Sequence, residues 1–288
     1  MRSKGPAFAA LGEVDLAAWD RAAAWLEQRL PDAPRKAERI HWLTVPVLLW
    51  LRREVERAGR RPLMAGLSAP QGSGKSTLVA LLVPLLETLG IRAIAVSIDD
   101  FYLRREDQLR LAAAHPGNRF LEHRGYPGTH DVARGVRTLE ALRDGRDVEL
   151  PCYDKSAHGG RGDRSAQTRA VTGRFDLVLL EGWMLGFTPL PVAPRGLEVI
   201  NEKLADYEAW HRLLDVMVCL RAAEPAFVLR WRAEAEEAAR ASGKPALSPA
   251  EIDDYVRRFL PAYEHYARTV AFERQLTLTL DADRTPRE

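Results

Sequence analysis

The chain has 288 residues, with 42 basic against 40 acidic side chains and a formal charge of +2. So even a balance leaves no electrostatic footprint for nucleic acid, and no apolar stretch approaches the length that spans a bilayer. Cys152 and Cys219 stand far apart with no metal-ligand spacing, and Met1–Pro6 leads into no apolar signal run. The expectation is a cytoplasmic protein with reduced thiols, a core that needs no disulfide, and no membrane partner.

Residues 15–59 read as helical. Leu16, Trp19, Ala23, Leu26 and Leu30 recur at helical spacing, as do Val47, Leu48, Leu51 and Val55. Pro31 and Pro34 end the first helix, and Pro46 marks the first turn of the second. Trp19, Trp25, Trp42 and Trp50 suit the packing of this layer onto what lies behind it better than a ligand surface. Residues 1–60 are therefore expected to form a helical extension packed on a core domain of residues 61–288.

Leu63–Leu67 is a short apolar run, the pattern of a strand buried on both faces, and Leu78, Leu81, Leu82, Leu85 and Leu86 belong to an amphipathic helix. Between them lies Ala69-Pro-Gln-Gly-Ser-Gly-Lys-Ser-Thr77. A small-residue loop between strand and helix is the context of a phosphate-binding P-loop. Gly72 and Gly74 let successive backbone N–H groups turn inward on phosphate oxygens, and the helix N-terminus adds partial positive charge. Lys75 is placed to reach the β- and γ-phosphates of a nucleotide, and the Ser76 hydroxyl to ligate Mg²⁺. Ala69 stands where the general motif has its first glycine.

A second buried strand, Arg92–Ile98, ends in Asp99-Asp100-Phe101-Tyr102. Residues 103–130 read as loop-rich, a helix is expected over Asp131–Leu142, and Val148–Leu150 as a short extension. Lys155–Arg169 carries Lys155, Arg161, Arg164 and Arg169 against a single acid, Asp163, with three glycines, and reads as a mobile basic loop able to close over phosphates. Phe175–Leu180 is a third strand, with Glu181 at its carboxyl end placed like a metal-holding acid. A helix over Leu204–Leu214, a strand over Asp215–Leu220, helices over about Pro225–Ser242 and Pro249–Ala267 (with Ser248-Pro249 as start signal), an edge strand over Gln275–Leu280 and a polar tail over Asp281–Glu288 complete the chain.

Strands alternating with helices argue an α/β fold with a parallel sheet, and ligands collect at strand carboxyl ends in such sheets. The P-loop, Asp99 and Glu181 all fall on that rim. Transfer of a phosphoryl group to a hydroxyl needs a cradle, a metal, a base and neutralising cations. Asp99 is the candidate base, Asp100 a candidate for orienting substrate or metal. His115–Arg119 and Arg124–Asp131 mix cations and hydrogen-bonding groups in glycine turns, which suits a small anionic, hydroxylated acceptor with Arg119 or Arg124 on its carboxylate. Asp131 equally suits the cap of the following helix. His115, His123 and His130 match no metal-site spacing. A guanine nucleotide switch is excluded by the absence of an N-K-x-D signature, since Asn201-Glu-Lys-Leu204 fails it.

Taken together, Ser68–Thr77, Ser97-Ile-Asp-Asp-Phe-Tyr102, His115-Pro-Gly-Asn-Arg119, Arg124-Gly-x-x-Gly-Thr-His-Asp131, Pro151-x-Tyr-Asp-Lys-Ser156, Gly162-Asp-Arg164 and Glu181–Phe187 resemble the phosphoribulokinase/uridine kinase/pantothenate kinase group, and within it the D-glycerate 3-kinase family. The resemblance implies a P-loop kinase sheet of about five strands in the order 2-3-1-4-5, flanked by helices, with a lid and acceptor region over about residues 103–170. It implies ATP and Mg²⁺ as cofactors, D-glycerate as acceptor and 3-phosphoglycerate as product. Asp99 is then the base, with Lys75 and Glu181 beside it. Asp100, Tyr102, Arg119, Arg124, His130, Asp131 and Lys155 fall on the acceptor, and Arg161 and Arg164 on the lid. Ala69 fits the pattern of that family. A sister kinase acting on pantothenate, a nucleoside or a sugar phosphate shares every part except the acceptor pocket, and a non-catalytic ATP-binding module would lack the base.

Overall fold

A computed structural model describes Leu11 and residues 14–33, 35–59, 62–241 and 249–287. Expectations on Met1–Pro6, Pro34, Ser242, Ser248 and Glu288 lie outside the described residues. The centre is a five-stranded parallel sheet of β1 (Leu63–Ser68), β2 (Ala93–Ser97), β5 (Leu177–Gly182), β6 (Val216–Ala222) and β7 (Gln275–Leu280), ordered β2-β5-β1-β6-β7. Every residue of β1 and β5 is buried, as a central parallel strand covered on both faces requires. The strand labels depart from the expected order because two further strands, β3 (Val148–Asp154) and β4 (Asp163–Val171), pair antiparallel as a separate hairpin.

Register in the sheet is pinned at its amino edge by carboxylates. Met64 N–H donates to Asp215 at 3.0 Å, and Arg92 N–H to Asp176 at 2.9 Å. At the rim, Gly182 meets Ile98 so closely that a Cβ would stand 2.4 Å from its side chain. That contact sets the turn after β2 directly against the end of β5.

Helix α1 (Leu16–Arg29) buries Trp19 and Leu26, and α2 (Val45–Ala58) buries Trp50 and Leu51. These side chains share one apolar cluster with Leu63 and Leu82, so the N-terminal helices extend the same core. Pro46 does lie in the first turn of α2, but winding begins earlier, at Lys36–Arg39, and passes through a widened π-helical stretch at Ile40–Thr44. The wider turn accommodates the ring without ending the helix. Helix α3 (Lys75–Thr88) follows the P-loop and packs on α2.

Several expectations are corrected. The 103–130 stretch contains α4 (Arg105–Ala114), which buries only Gln108 and so shows no apolar stripe. The expected helix over 204–214 is instead α6 (Glu198–Leu204) followed by short turns, including Glu208–His211. The stretch expected as a mobile basic loop is mostly β4, whose mid-strand residues face solvent and therefore lack alternation. Helices α5 (Val132–Arg143), α7 (Phe227–Ala241) and α8 (Pro249–Tyr266) match expectation, with α7 packed on α8. The C-terminal tail is not free: Thr285 is buried, Leu280 and Pro286 form a bridge, and Arg287 N–H donates to Thr279 at 2.7 Å.

Candidate active site

The P-loop leaves β1 at Ala69 and enters α3 at Lys75. Gly72 (φ +73°) and Gly74 (φ +88°) hold left-handed conformations, and a Cβ on Gly72 would stand 2.8 Å from the Trp231 backbone. Glycine is thus required twice over, for dihedral and for space. The loop is fixed from within and from outside: Ser73 donates to Pro70 O at 2.7 Å, and Gln71 N–H donates to the Tyr263 hydroxyl at 3.1 Å. No side chain caps α3 at Gly74, which leaves the first N–H groups of the helix available to an anion.

The Lys75 ammonium contacts Glu181, which is buried at the end of β5. Asp99 does not end a strand but sits in a 3-10 turn, Ile98–Phe101, whose start is capped by Ser97. Strand alternation therefore does not separate Asp99 from Asp100. Lys155 donates to Asp99 at 2.5 Å. Burial would raise the Asp99 carboxyl, but the charges of Lys155 and Lys75 outweigh it and bring it down to about 2. Asp100 moves the opposite way, raised first by burial and then by the charge of Asp99, with Glu181 adding to it.

Around this rim stands an aromatic wall. Tyr102 stacks on His130 with ring centres 4.3 Å apart and meets the edge of Tyr153 at 5.1 Å. His130 is 5% exposed, its Nδ1 is 2.7 Å from the Tyr207 hydroxyl, and its buried Nε2 has no partner. Burial pushes the His130 imidazole down to about 3, Asp99 opposing, so the ring is neutral at physiological pH. Tyr255, from α8, is raised first by burial and feels the charges of Arg232 and Asp99. The Arg232 guanidinium lies 4.9 Å over its ring.

Other sequence-selected residues hold the framework. Asp131 caps α5 through Arg134 N–H at 3.0 Å and accepts from Arg164, which also donates to Tyr102 O at 3.0 Å. Arg164 is thus a strut between β4 and the Tyr102 turn rather than a free lid cation. Arg161 turns to His123 at 3.0 Å. Arg124 spends its guanidinium on carbonyls, Gly160 at 2.9 Å and also Arg161 and Lys155, and fixes the turn that presents Lys155. Arg119 pairs with exposed Asp254 at 3.3 Å and makes no contact with Asp99 or Lys155 among the described residues. Tyr255 is an addition to the residues singled out in the sequence, and Tyr153, Tyr207 and Trp231, which lie in stretches that share the resemblance, had no site role assigned there. They reach the rim from α8, β3, the 205–207 turn and α7 respectively.

Oxygen donors Ser76 and Glu181 next to the P-loop suit a hard cation such as Mg²⁺ that keeps part of its water shell. Among the described residues there is no cluster of three or more His, Cys, Asp or Glu that would hold a metal unaided. No helix of the described residues is long and apolar enough to cross a membrane.

A parallel sheet whose rim carries a P-loop, a lysine–glutamate pair and a turn aspartate is that of a P-loop kinase. No family model matches the chain. It is similar to the chloroplastic D-glycerate 3-kinase of Arabidopsis thaliana, 40% identical over 282 residues, covering 88% of this chain and 61% of that one. It is also similar to the uncharacterized kinase mug58 of Schizosaccharomyces pombe, 35% identical over 264 residues, covering 83% of this chain and 95% of that one. The solved structure of D-glycerate 3-kinase from Cryptococcus neoformans superposes with a TM-score of 0.73 at 25% identity, covering 94% of this chain and 96% of that one. The chain belongs to the D-glycerate 3-kinase family of P-loop kinases.

Proposed function

We propose that the chain transfers the γ-phosphoryl group of ATP to a hydroxyl of D-glycerate, yielding ADP and 3-phosphoglycerate. The observation that carries this reading is the setting of Asp99. A carboxylate kept ionised by two lysines, one from the P-loop, lies on the same rim as an unpartnered histidine nitrogen and an aromatic wall. The likeness to proteins named D-glycerate 3-kinase supports the choice of acceptor.

In this mechanism Gly72–Ser76 holds the triphosphate and Lys75 neutralises charge on the group in flight. Ser76 and Glu181 would hold Mg²⁺, which when bound would neutralise charge on the phosphate oxygens. Lys155 draws in the acceptor carboxylate, and His130 Nε2 and Tyr102 orient the substrate against Asp99. Asp99 accepts the proton of the attacking hydroxyl as its oxygen bonds to phosphorus and the bond to the β-phosphate oxygen breaks. So low a carboxyl is a weak base, which suits a loose transition state in which the proton leaves late. Asp100, raised first by burial and then by the charge of Asp99, would offer a hydrogen bond to the acceptor. The working partner is then a small anionic hydroxy acid in a cytoplasmic setting.

An ADP-release assay across D-glycerate, L-glycerate, pantothenate, uridine and ribulose 5-phosphate tests it. D-Glycerate should give the highest kcat/KM. A higher value for any other acceptor would overturn the assignment of substrate, and ADP release with none would overturn the kinase reading.

A further inference from the structure

Arg39 belongs to the N-terminal helical segment, yet its Nη2 lies 3.1 Å from the position a Cβ would take on Gly74, the last P-loop residue before Lys75. The placement is held from both sides. Arg35, whose φ of +57° begins the Lys36–Arg39 turn, pairs with Asp281 at 3.1 Å and Asp283 at 3.5 Å in the C-terminal tail. The same tail carries Arg284, whose Nε donates to Gly72 O at 2.7 Å. Two guanidinium groups therefore flank the glycines of the loop.

They differ in one respect. Arg284 is compensated by Glu234 and by the carbonyls of Gly72 and Trp231. Arg39 has neither a carboxylate nor a carbonyl acceptor among the described residues, although guanidinium groups elsewhere in the chain, such as Arg52 and Arg92, have found theirs. Burial, and then the charge of Arg284, depress Arg39 from its ordinary value. A partly desolvated, uncompensated cation beside a second cation and the positive end of α3 is an unfavourable arrangement for the protein alone. It becomes favourable when an anion occupies the loop.

We infer that Arg39 is a nucleotide-binding residue, a guanidinium supplied by the N-terminal segment to the polyphosphate of the nucleotide seated in Gly72–Ser76. This rests on the kinase reading above and deepens it, since it gives the N-terminal helices a part in the site. A guanidinium–phosphate contact is a charge-assisted hydrogen bond, so its loss should weaken binding about ten- to a hundredfold.

The test is calorimetric titration of the full chain with Mg·ADP and Mg·ATP, with thermal midpoints measured without nucleotide. Arg39→Gln should raise both dissociation constants by that factor while leaving the nucleotide-free midpoint unchanged or higher, because a repulsion with Arg284 is removed. Arg39→Lys, which keeps the charge but not the fork, should fall between the two. Binding at the wild-type level in both variants would overturn the assignment of Arg39 alone. A lowered nucleotide-free midpoint in both variants would overturn it too, in favour of a purely structural arginine. A wild-type chain that binds neither nucleotide would overturn the kinase reading beneath it.

Discussion

The two halves of the candidate site are built in opposite ways. The nucleotide half is one uninterrupted stretch, β1, the loop and the start of α3, fixed by local dihedrals at Gly72 and Gly74. The acceptor half is assembled from the Ile98–Phe101 turn, the Arg124–His130 turns, the β3–β4 hairpin, the 205–207 turn and α8, and is held by long-range contacts such as His130 to Tyr207 and Arg164 to Asp131. Local construction makes a half that works by backbone geometry and tolerates little change within a few residues. Dispersed construction makes a half whose chemistry depends on struts, and whose selectivity can be altered by residues that never touch the reacting atoms.

Substitutions sharpen that contrast, the largest expected effect being on the local half. Lys75→Met should lower kcat/KM on the order of a thousandfold, with circular dichroism confirming the fold despite the buried Glu181 left behind. Activity near wild type would break the assignment of the cradle. On the dispersed half, Lys155→Met should raise KM for the acid about tenfold and leave KM for ATP nearly unchanged. It also removes the leading charge that opposes the burial of Asp99, so the carboxyl rises from about 2 and the acidic limb of the pH–kcat/KM profile moves to higher pH. An unmoved limb would mean that Asp99 does not set it.

A smaller effect should follow Arg124→Ala, which frees the turn presenting Lys155. KM for the acid should rise a few-fold, roughly the weight of a lost surface hydrogen bond, with kcat at saturation preserved. Equal effects on both substrates would contradict a strut confined to the acceptor half.

The smallest effect concerns stability. Burial lowers His130 to about 3 and His211 to about 4, both below the ordinary 6.5. As pH falls below 6.5 the unfolded chain takes up protons that the native chain refuses, so stability falls with pH by at most about 1.4 kcal/mol per unit for each histidine. Asp99 acts on a lower window, because its stabilising ionisation is lost only as pH drops below 3.8 toward about 2. Urea midpoints at pH 7 and 5 should show the decline, and His211→Gln should make it shallower. An identical decline in that variant would assign it elsewhere.

Legibility in the sequence follows the same division. β1, the loop, α3 and the strand carrying Glu181 were readable because their signals are contiguous, and so was the role of Asp131 as a helix cap. The β3–β4 hairpin was not. Its outward residues, Gln167, Thr168 and Arg169 among them, are as polar as a loop, and pairing with β3 is what makes them a strand. Arg119, Arg124 and Arg164 look alike in sequence as cations among glycines, and only tertiary contacts sort them into a surface pair, a turn anchor and a strut. Arg39 and Tyr255 carry no local signal, since each stands on an element distant in the chain from the loop and the Asp99 turn.

The direct measurement is Asp99→Asn, assayed for single-turnover phosphoryl transfer and, in parallel, for ATP binding. If a turn carboxylate takes the acceptor's proton, the transfer rate should fall by about two to four orders of magnitude, while the dissociation constant for ATP stays within a few-fold of wild type. Transfer at an unchanged rate, or a loss explained entirely by failure to bind ATP, would contradict the role given to Asp99.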